Sequence, residues 1–459
     1  MRVLIVSFAF PPSNVIGAVR VGKLARYLDQ RGHDVRVLAT DIVNDRSLPL
    51  EISRERVLYT EYRQRQRWVD HMARLLRGHT AVHAGVRAGV RHEDAPTQDG
   101  APARSLRRTF RRHYLGLIHI PDMRADWVRT AIPAGRKLIK EWKPDIIFAS
   151  APPNTGLMVA SRLARTHKVP WVADFRDLWV DNPYYSEPGW RKPIDAILER
   201  RILRGAAGLV TVSPIWAQQL RRRHGKDVTV VYNGYAEEDF PPLAQPTEPG
   251  AQRTDPGASL TIRYMGSIYR GFRDPAALFS AIALLPDQLR TRINVEFFSD
   301  AGDAVLDAAA AHRVENVVAV KPRVPYRRAL ALQMEADVLL LLQSSDQRDE
   351  GNLPAKLFEY FYARRPILFI GYERGIAARL VIERRAGLVS NSPAQIHDQL
   401  KRWFEDKRAG RLERLDPSVS LGLGRDDQYA KLEHLFEEIV EGQVSTADRL
   451  PLGEARAIN

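Results

Sequence analysis

Residues 3–39 read VLIVSFAFPPSNVIGAVRVGKLARYLDQRGHDVRVLA, and this stretch decides the fold. Val3–Phe8 is a short run, apolar but for Ser7, the mark of a strand buried on both faces of a parallel sheet. Pro11 and Pro12 end it. Val21, Leu24, Ala25 and Leu28 then recur at i, i+3, i+4 and i+7, which places them on one helix face, and Gly32 closes the helix. Val35–Ala39 is a second strand. One βαβ unit within about forty residues predicts the opening of a doubly wound sheet.

Working outward, the alternation resumes after an interruption. Strands are predicted at Asp145–Ser150, Trp171–Phe175, Leu209–Val212 and Val228–Tyr232, with helices at Thr155–Thr166 and Pro214–His224 and a turn at Asn233-Gly234. Ala244–Ser259 is rich in Pro, Gly, Thr and Gln and has no periodicity, as a linker does. A second α/β series starts at Leu260–Met265 and continues through Val295–Ser299, Val317–Val320, Val338–Leu342 and Ile367–Ile370. Asp427–Val440 is an amphipathic helix. The prediction is an α/β protein of two Rossmann-like doubly wound domains facing a cleft, residues 1–243 and 260–424, joined by the linker 244–259. A C-terminal helix in 425–443 packs back toward the first domain, and 444–459 has the composition of a disordered tail. Ligands of such sheets bind beyond the carboxyl ends of the strands.

The 459-residue length exceeds what one core sustains, in agreement with two domains. A chain that is 44% hydrophobic and 27% charged is an ordinary soluble globular protein. No apolar run approaches the roughly 20 residues that span a bilayer, and the N-terminus does not read as a signal peptide. The absence of cysteine excludes disulfides, thiolate metal sites and cysteine nucleophiles, and fits a cytoplasmic protein. No G-x-G-x-x-G follows Val6, and P-loop, G-x-S-x-G and H-E-x-x-H motifs are missing, so dehydrogenase, ATPase, serine hydrolase and metalloprotease readings lose their main support. His79 and His83 stand four apart without an obvious third ligand. The formal charge of +14 is uneven: Arg54 to Arg112 holds 14 arginines, no lysine and six acids. This basic insertion, about 54–115, suits phosphates of some kind, although solvated charge runs are common.

The segment with the strongest chemistry is Asp349-Glu350-Gly351-Asn352-Leu353-Pro354-Ala355-Lys356-Leu357-Phe358-Glu359-Tyr360. It follows a strand and a polar loop, and Pro354 suits a helix start. Free backbone N–H groups there can bind a diphosphate, Lys356 adds a cation, and Glu359, one turn later, can accept from sugar hydroxyls. An ordinary surface Lys–Glu pair would look the same.

The segment resembles the donor motif of the family 4 glycosyltransferases with the B-type fold, in the variant Pro-x-Lys-x-x-Glu-Tyr followed by Ala-x-x-Pro: here Pro354-Ala-Lys356-Leu-Phe-Glu359-Tyr360, then Ala363-Arg-Arg-Pro366. Phe10-Pro11-Pro12, Gly17 and Arg20 resemble the family's first loop and helix start. Asp145 through Pro152-Pro153 resembles a further element of the family, and Asp174-Phe-Arg176-Asp177-Leu-Trp179 is similar to a motif of its bacterial surface-polysaccharide branch. The resemblance implies that Lys356 and Arg270, after the strand ending at Met265-Gly266, contact a donor diphosphate and that Glu359 holds the nucleotide ribose. It implies that Gly17 lets the first loop approach the diphosphate without a Cβ in the way. Two departures stand out. The first glutamate of the family's commoner motif falls on Gly351, leaving Asn352 and backbone amides for the donor sugar. Where many relatives carry a histidine, this chain has Asp174, Arg176 and Asp177, a candidate catalytic group at a strand end. Arg176 bridging to Asp174 or Asp177 to brace the loop would be the purely structural alternative.

The activity so implied is a retaining transfer of a sugar from a nucleoside diphosphate sugar to an acceptor hydroxyl. It needs no metal and no cofactor beyond the donor, since Lys356, Arg270 and a helix N-terminus take the leaving charge. Arg104, Arg107, Arg108, Arg111 and Arg112, interleaved with Leu106, Phe110 and Leu117, suit a basic amphipathic helix lying on anionic lipid, and hence a lipid-linked acceptor on the inner face of the membrane. The alternatives are a sugar-nucleotide 2-epimerase of the same architecture and a non-catalytic nucleotide-sugar-binding protein. Nucleic acid is disfavoured by the lack of repeated aromatic platforms.

Overall fold

The computed structural model describes residues 1–41, 46–62, 113, 116, 117, 119–242, 259–268, 272–300 and 302–442. Arg270, the His79–His83 pair, the arginines between 104 and 112, most of the linker and the tail after Ser445 lie outside the described residues.

Seven parallel strands form the first sheet: β1 (Arg2–Val6), β2 (Asp34–Thr40), β3 (Val57–Thr60), β4 (Ile146–Ala151), β5 (Trp171–Phe175), β6 (Gly208–Thr211) and β7 (Val228–Val230). Their order is β3-β2-β1-β4-β5-β6-β7. Six more form the second: β8 (Leu260–Met265), β9 (Ile293–Phe298), β10 (Val318–Lys321), β11 (Val338–Leu342), β12 (Ile367–Ile370) and β13 (Gly387–Val389), in the order β10-β9-β8-β11-β12-β13. Both sheets reverse direction of growth once, between β1 and β4 and between β8 and β11. Such a switch point leaves a crevice at the carboxyl end of the two central strands.

The central strands are as apolar as the reading demanded: Val3 through Val6 and Val338 through Leu342 are fully buried. One face of the first sheet is covered by Trp127, Ile139 and Leu163, the other by Leu24, Leu28 and Phe436. Phe436 belongs to the helix Arg425–Val440, which also buries Tyr429, Leu432 and Ile439 against the N-terminal sheet. Each such side chain contributes about 1.5–3 kcal/mol of apolar burial, so this helix is tied firmly to the first domain. Strand β3 falls inside the stretch read as a basic insertion. It is an edge strand of four residues, with Leu58 exposed, and the arginines on its N-terminal side hid its short alternation.

The carboxyl ends of the two sheets meet. Tyr184, after β5, donates to Asp349 Oδ1 at 2.7 Å from across the cleft, and its ring packs edge-on against Phe272 at 5.3 Å.

Candidate functional site

Three of the helices that start at these switch points are finished differently. The helix Thr155–His167 after β4 is capped from within: Asp122 accepts from the Thr155 N–H at 2.8 Å and from its hydroxyl at 2.7 Å. The helices Ile16–Gln30 after β1 and Ala355–Ala363 after β11 have no side-chain cap. Their unpaired N–H groups and positive dipole ends point at the cleft, where an anion would satisfy them.

Cations gather at the second of these starts. Lys356 Nζ donates to the Met265 carbonyl at 2.6 Å and lies 4.4 Å from the centroid of the Tyr264 ring. Its side chain keeps a partial opening to solvent. Burial, then repulsion from Arg273 and Arg323, push its pKa down to about 7, against the pull of Glu359. Arg273 donates to the Ser267 carbonyl at 2.9 Å, and Arg323 to the Ser267 hydroxyl. Gly266 is required here by its φ of +141°, which is unsuited to a side chain, and a Cβ there would displace Lys356 Nζ from its present place. Glu359 is buried one turn along, and Gln333 Nε2 donates to its Oε2 at 3.0 Å, fixing the carboxylate's orientation.

The N-terminal wall is built on β5. Asp174 is fully buried and takes a two-pronged ion pair from Arg20, at 2.9 and 3.1 Å, with a third hydrogen bond from the Ser150 hydroxyl at 2.7 Å. Arg20 spends its remaining N–H groups on the carbonyls of Val231 and Tyr232 and on Asn233 Oδ1. This pair clamps the first helix to the ends of β5 and β7. Arg176 is half-buried, donates to Ser150 Oγ at 3.1 Å and to the Pro152 carbonyl, and lies so close to Gly17 that a Cβ there would strike its guanidinium. Asp177 is exposed at the same strand end. Asp174 and Arg20 are thus committed to each other, whereas Arg176 and Asp177 stand nearer the opening.

The Gly351 departure has a steric reason. A Cβ on Gly351 would run into the indole of Trp216 and meet Ile215, both on the N-terminal domain's helix Pro214–His224. The glycine lets the two domains touch. Asn352 lies beside it, with Nδ2 donating to Asp349 Oδ1 at 3.1 Å and its carbonyl accepting from Gln343. Gly351→Glu is expected to cost about 1–3 kcal/mol by overpacking and to open the domains, read as a lower melting temperature and a larger radius of gyration in X-ray scattering. An unchanged melt and radius would show that Trp216 moves aside freely.

Residues 17–234 match the family model described as a glycosyl transferase 4-like domain. Sucrose-phosphate synthase from Thermosynechococcus elongatus superposes over 96% of this chain and 100% of its own, with a TM-score of 0.62 at 15% identity. The fold is the B-type glycosyltransferase fold. HepE from Anabaena in complex with UDP aligns over 96% of this chain and 99% of its own, with a TM-score of 0.54 at 12% identity. A UDP-N-acetylglucosamine 2-epimerase assigned in Listeria monocytogenes aligns over 96% and 97%, with a TM-score of 0.53 at 12% identity. No curated protein matches the chain by sequence. The shared fold alone does not separate transfer from epimerisation, so the site's own chemistry has to do so.

Sequence reasoning missed Arg273, Arg323 and the internal cap Asp122. Arg273 could have been found as the second arginine of the Arg270-Gly-Phe-Arg273 loop. Arg323 and Asp122 reach their places only through tertiary packing. Among the described residues no helix is long and apolar enough to cross a membrane.

Proposed function

We propose that this chain is a retaining, metal-independent glycosyltransferase that moves a sugar from a nucleoside diphosphate sugar to an acceptor hydroxyl. The observation that carries the reading is the anion-seeking arrangement around Lys356: an uncapped helix start, a lysine held near pH 7 by burial and cationic neighbours, and Arg273 and Arg323 beside it. Arg323 also pairs with Asp300 at 2.7 Å; a diphosphate leaving group would add negative charge beside these cations, and its stabilisation is the main electrostatic task of the reaction. In this proposal Lys356, Arg273 and Arg270 hold the diphosphate, Gly17 and Gly266 admit it, and Glu359 receives the ribose. Arg176 and Asp177 face the acceptor and the reacting sugar. Asn352 contacts the donor sugar with its remaining oxygen. Arg20 and Asp174 position the strand end rather than touch substrate. The acceptor in this reading is lipid-linked and approached from the inner membrane face, with the basic insertion on anionic lipid.

A thermal-shift screen of UDP-, GDP-, ADP- and dTDP-sugars tests it, with UDP-sugars first because HepE binds UDP. One nucleotide class at about a hundred times its Kd is expected to stabilise the protein by about 2.7 kcal/mol, with EDTA making no difference. No response to any nucleotide would remove the reading. Incubation with donor alone separates transfer from epimerisation, because only an epimerase turns over without an acceptor.

A further inference from the structure

We propose that the outward face of the helix Arg191–Leu203, together with the end of the neighbouring helix Thr155–His167, is a docking surface for anionic lipid headgroups. This surface is made of described residues and lies at the amino-end side of β5, away from the carboxyl-end cleft. The helix keeps its acids off its outward face, with Arg191 buried beside them. Its two acids point inward: Asp195 pairs with Arg191 at 3.2 Å and accepts from Tyr185, and Glu199 accepts from the Val180 N–H and meets His224 at 2.9 Å. The outward face keeps only cations and apolar groups. Ile197 is 66% exposed and Ile194 is 42% exposed, three residues apart on one stripe.

Beside that stripe runs an open groove between the carboxyl ends of the two helices, whose cations are Arg165, Lys168, Arg200, Arg201 and Arg204 and whose lining has no acid. None of these five cations forms an ion pair among the described residues. Cations near helix ends complement the dipole, and one or two per helix would do that. Dipole compensation does not explain two isoleucines left in water on the same face. A surface that offers anionic phosphates and, just beneath them, an apolar layer matches both halves of the pattern. Nucleic acid matches only the first half, because the groove's one aromatic ring, Trp171, is 1% exposed and offers no stacking platform.

Flotation of the full chain with phosphatidylcholine vesicles, with and without phosphatidylglycerol, tests the proposal. Binding is expected to the anionic vesicles alone and to weaken with salt. The variant Arg200→Glu/Arg201→Glu/Arg204→Glu is expected to lower the partition coefficient at least about a hundredfold, at roughly 1 kcal/mol per lost cation. Ile197→Ser is expected to lower it about tenfold without changing the salt dependence. These side chains are exposed, so melting temperatures and the thermal response to nucleotide sugars should be unaltered, which keeps this outcome distinct from the fate of the donor site. Equal binding to neutral vesicles, or wild-type binding by the triple variant, overturns the proposal. So does retention on nucleic acid through these arginines with no vesicle binding.

Discussion

Lys356→Ala is expected to lower kcat/KM for sugar transfer about a thousandfold and to abolish the thermal response to the donor, because it removes the cation nearest the leaving diphosphate. The wild-type lysine also gives this site a pH signature. In the free protein burial and the nearby Arg273 and Arg323 bring its pKa down to about 7, so near neutrality it is only half protonated. A bound diphosphate favours the ammonium form and raises that pKa again. Donor binding above about pH 7 must then take up a proton, and the donor Kd is expected to weaken as pH climbs from about 6 to 9. Calorimetry in buffers of different ionisation enthalpy measures the uptake directly. The effect on stability has the opposite sense. Between about 7 and 10.5 the unfolded chain holds more protons on this lysine than the folded one, so this group makes the unliganded protein more stable as pH rises through that window. In Lys356→Ala both dependences should vanish. Donor binding by the wild type without proton uptake at pH 8 would show that Lys356 does not meet the diphosphate.

What could be read in advance was governed by periodicity. Trp171–Phe175 and Val338–Leu342 are buried on both faces, Leu260–Met265 alternates buried and half-buried positions, and all three have the bounds seen in the structure. The helix Pro214–His224 was equally plain, with proline at its start and glycine at its end. Strand β3 was illegible because an edge strand needs few apolar residues, and the helix Arg191–Leu203 because its buried face includes Arg191, Asp195 and Glu199. Charges that pair inside the protein erase the 3.6-residue signal. The same holds at the site. Lys356 and Gly266 lie in recognisable local patterns, but that a Cβ on Gly266 would strike Lys356, and one on Gly351 would strike Trp216, depends on contacts between segments 90 and more residues apart.

Asp174 and Arg20, noticed as candidates for chemistry and donor binding, have in the proposed reading a positioning role. At a strand's carboxyl end, an Asp-Phe-Arg-Asp sequence looks like a place for chemistry. In the folded protein Asp174 has no exposure and holds Arg20 in a two-pronged pair, while Arg20 ties three backbone segments together. Asp174→Asn puts an amide N–H against guanidinium N–H groups and leaves a buried charge without its counter-ion. The expected cost is about 3–5 kcal/mol, seen as a fall of roughly 6–20 °C in the melting temperature of the N-terminal domain. Arg20→Met combined with Asp174→Leu removes both charges at once and is expected to recover most of that loss, since a buried pair is often replaceable by apolar groups of similar size. Asp177→Asn, at an exposed position two residues further from the strand, should leave melting unchanged and lower kcat. The two positions therefore separate cleanly. If Asp174→Asn melted like the wild type while kcat collapsed, the buried carboxylate would be acting on substrate and the clamp would be incidental. If the double apolar variant regained both stability and turnover, the clamp would be its whole role, and the chemistry would belong to the groups at the mouth of the cleft.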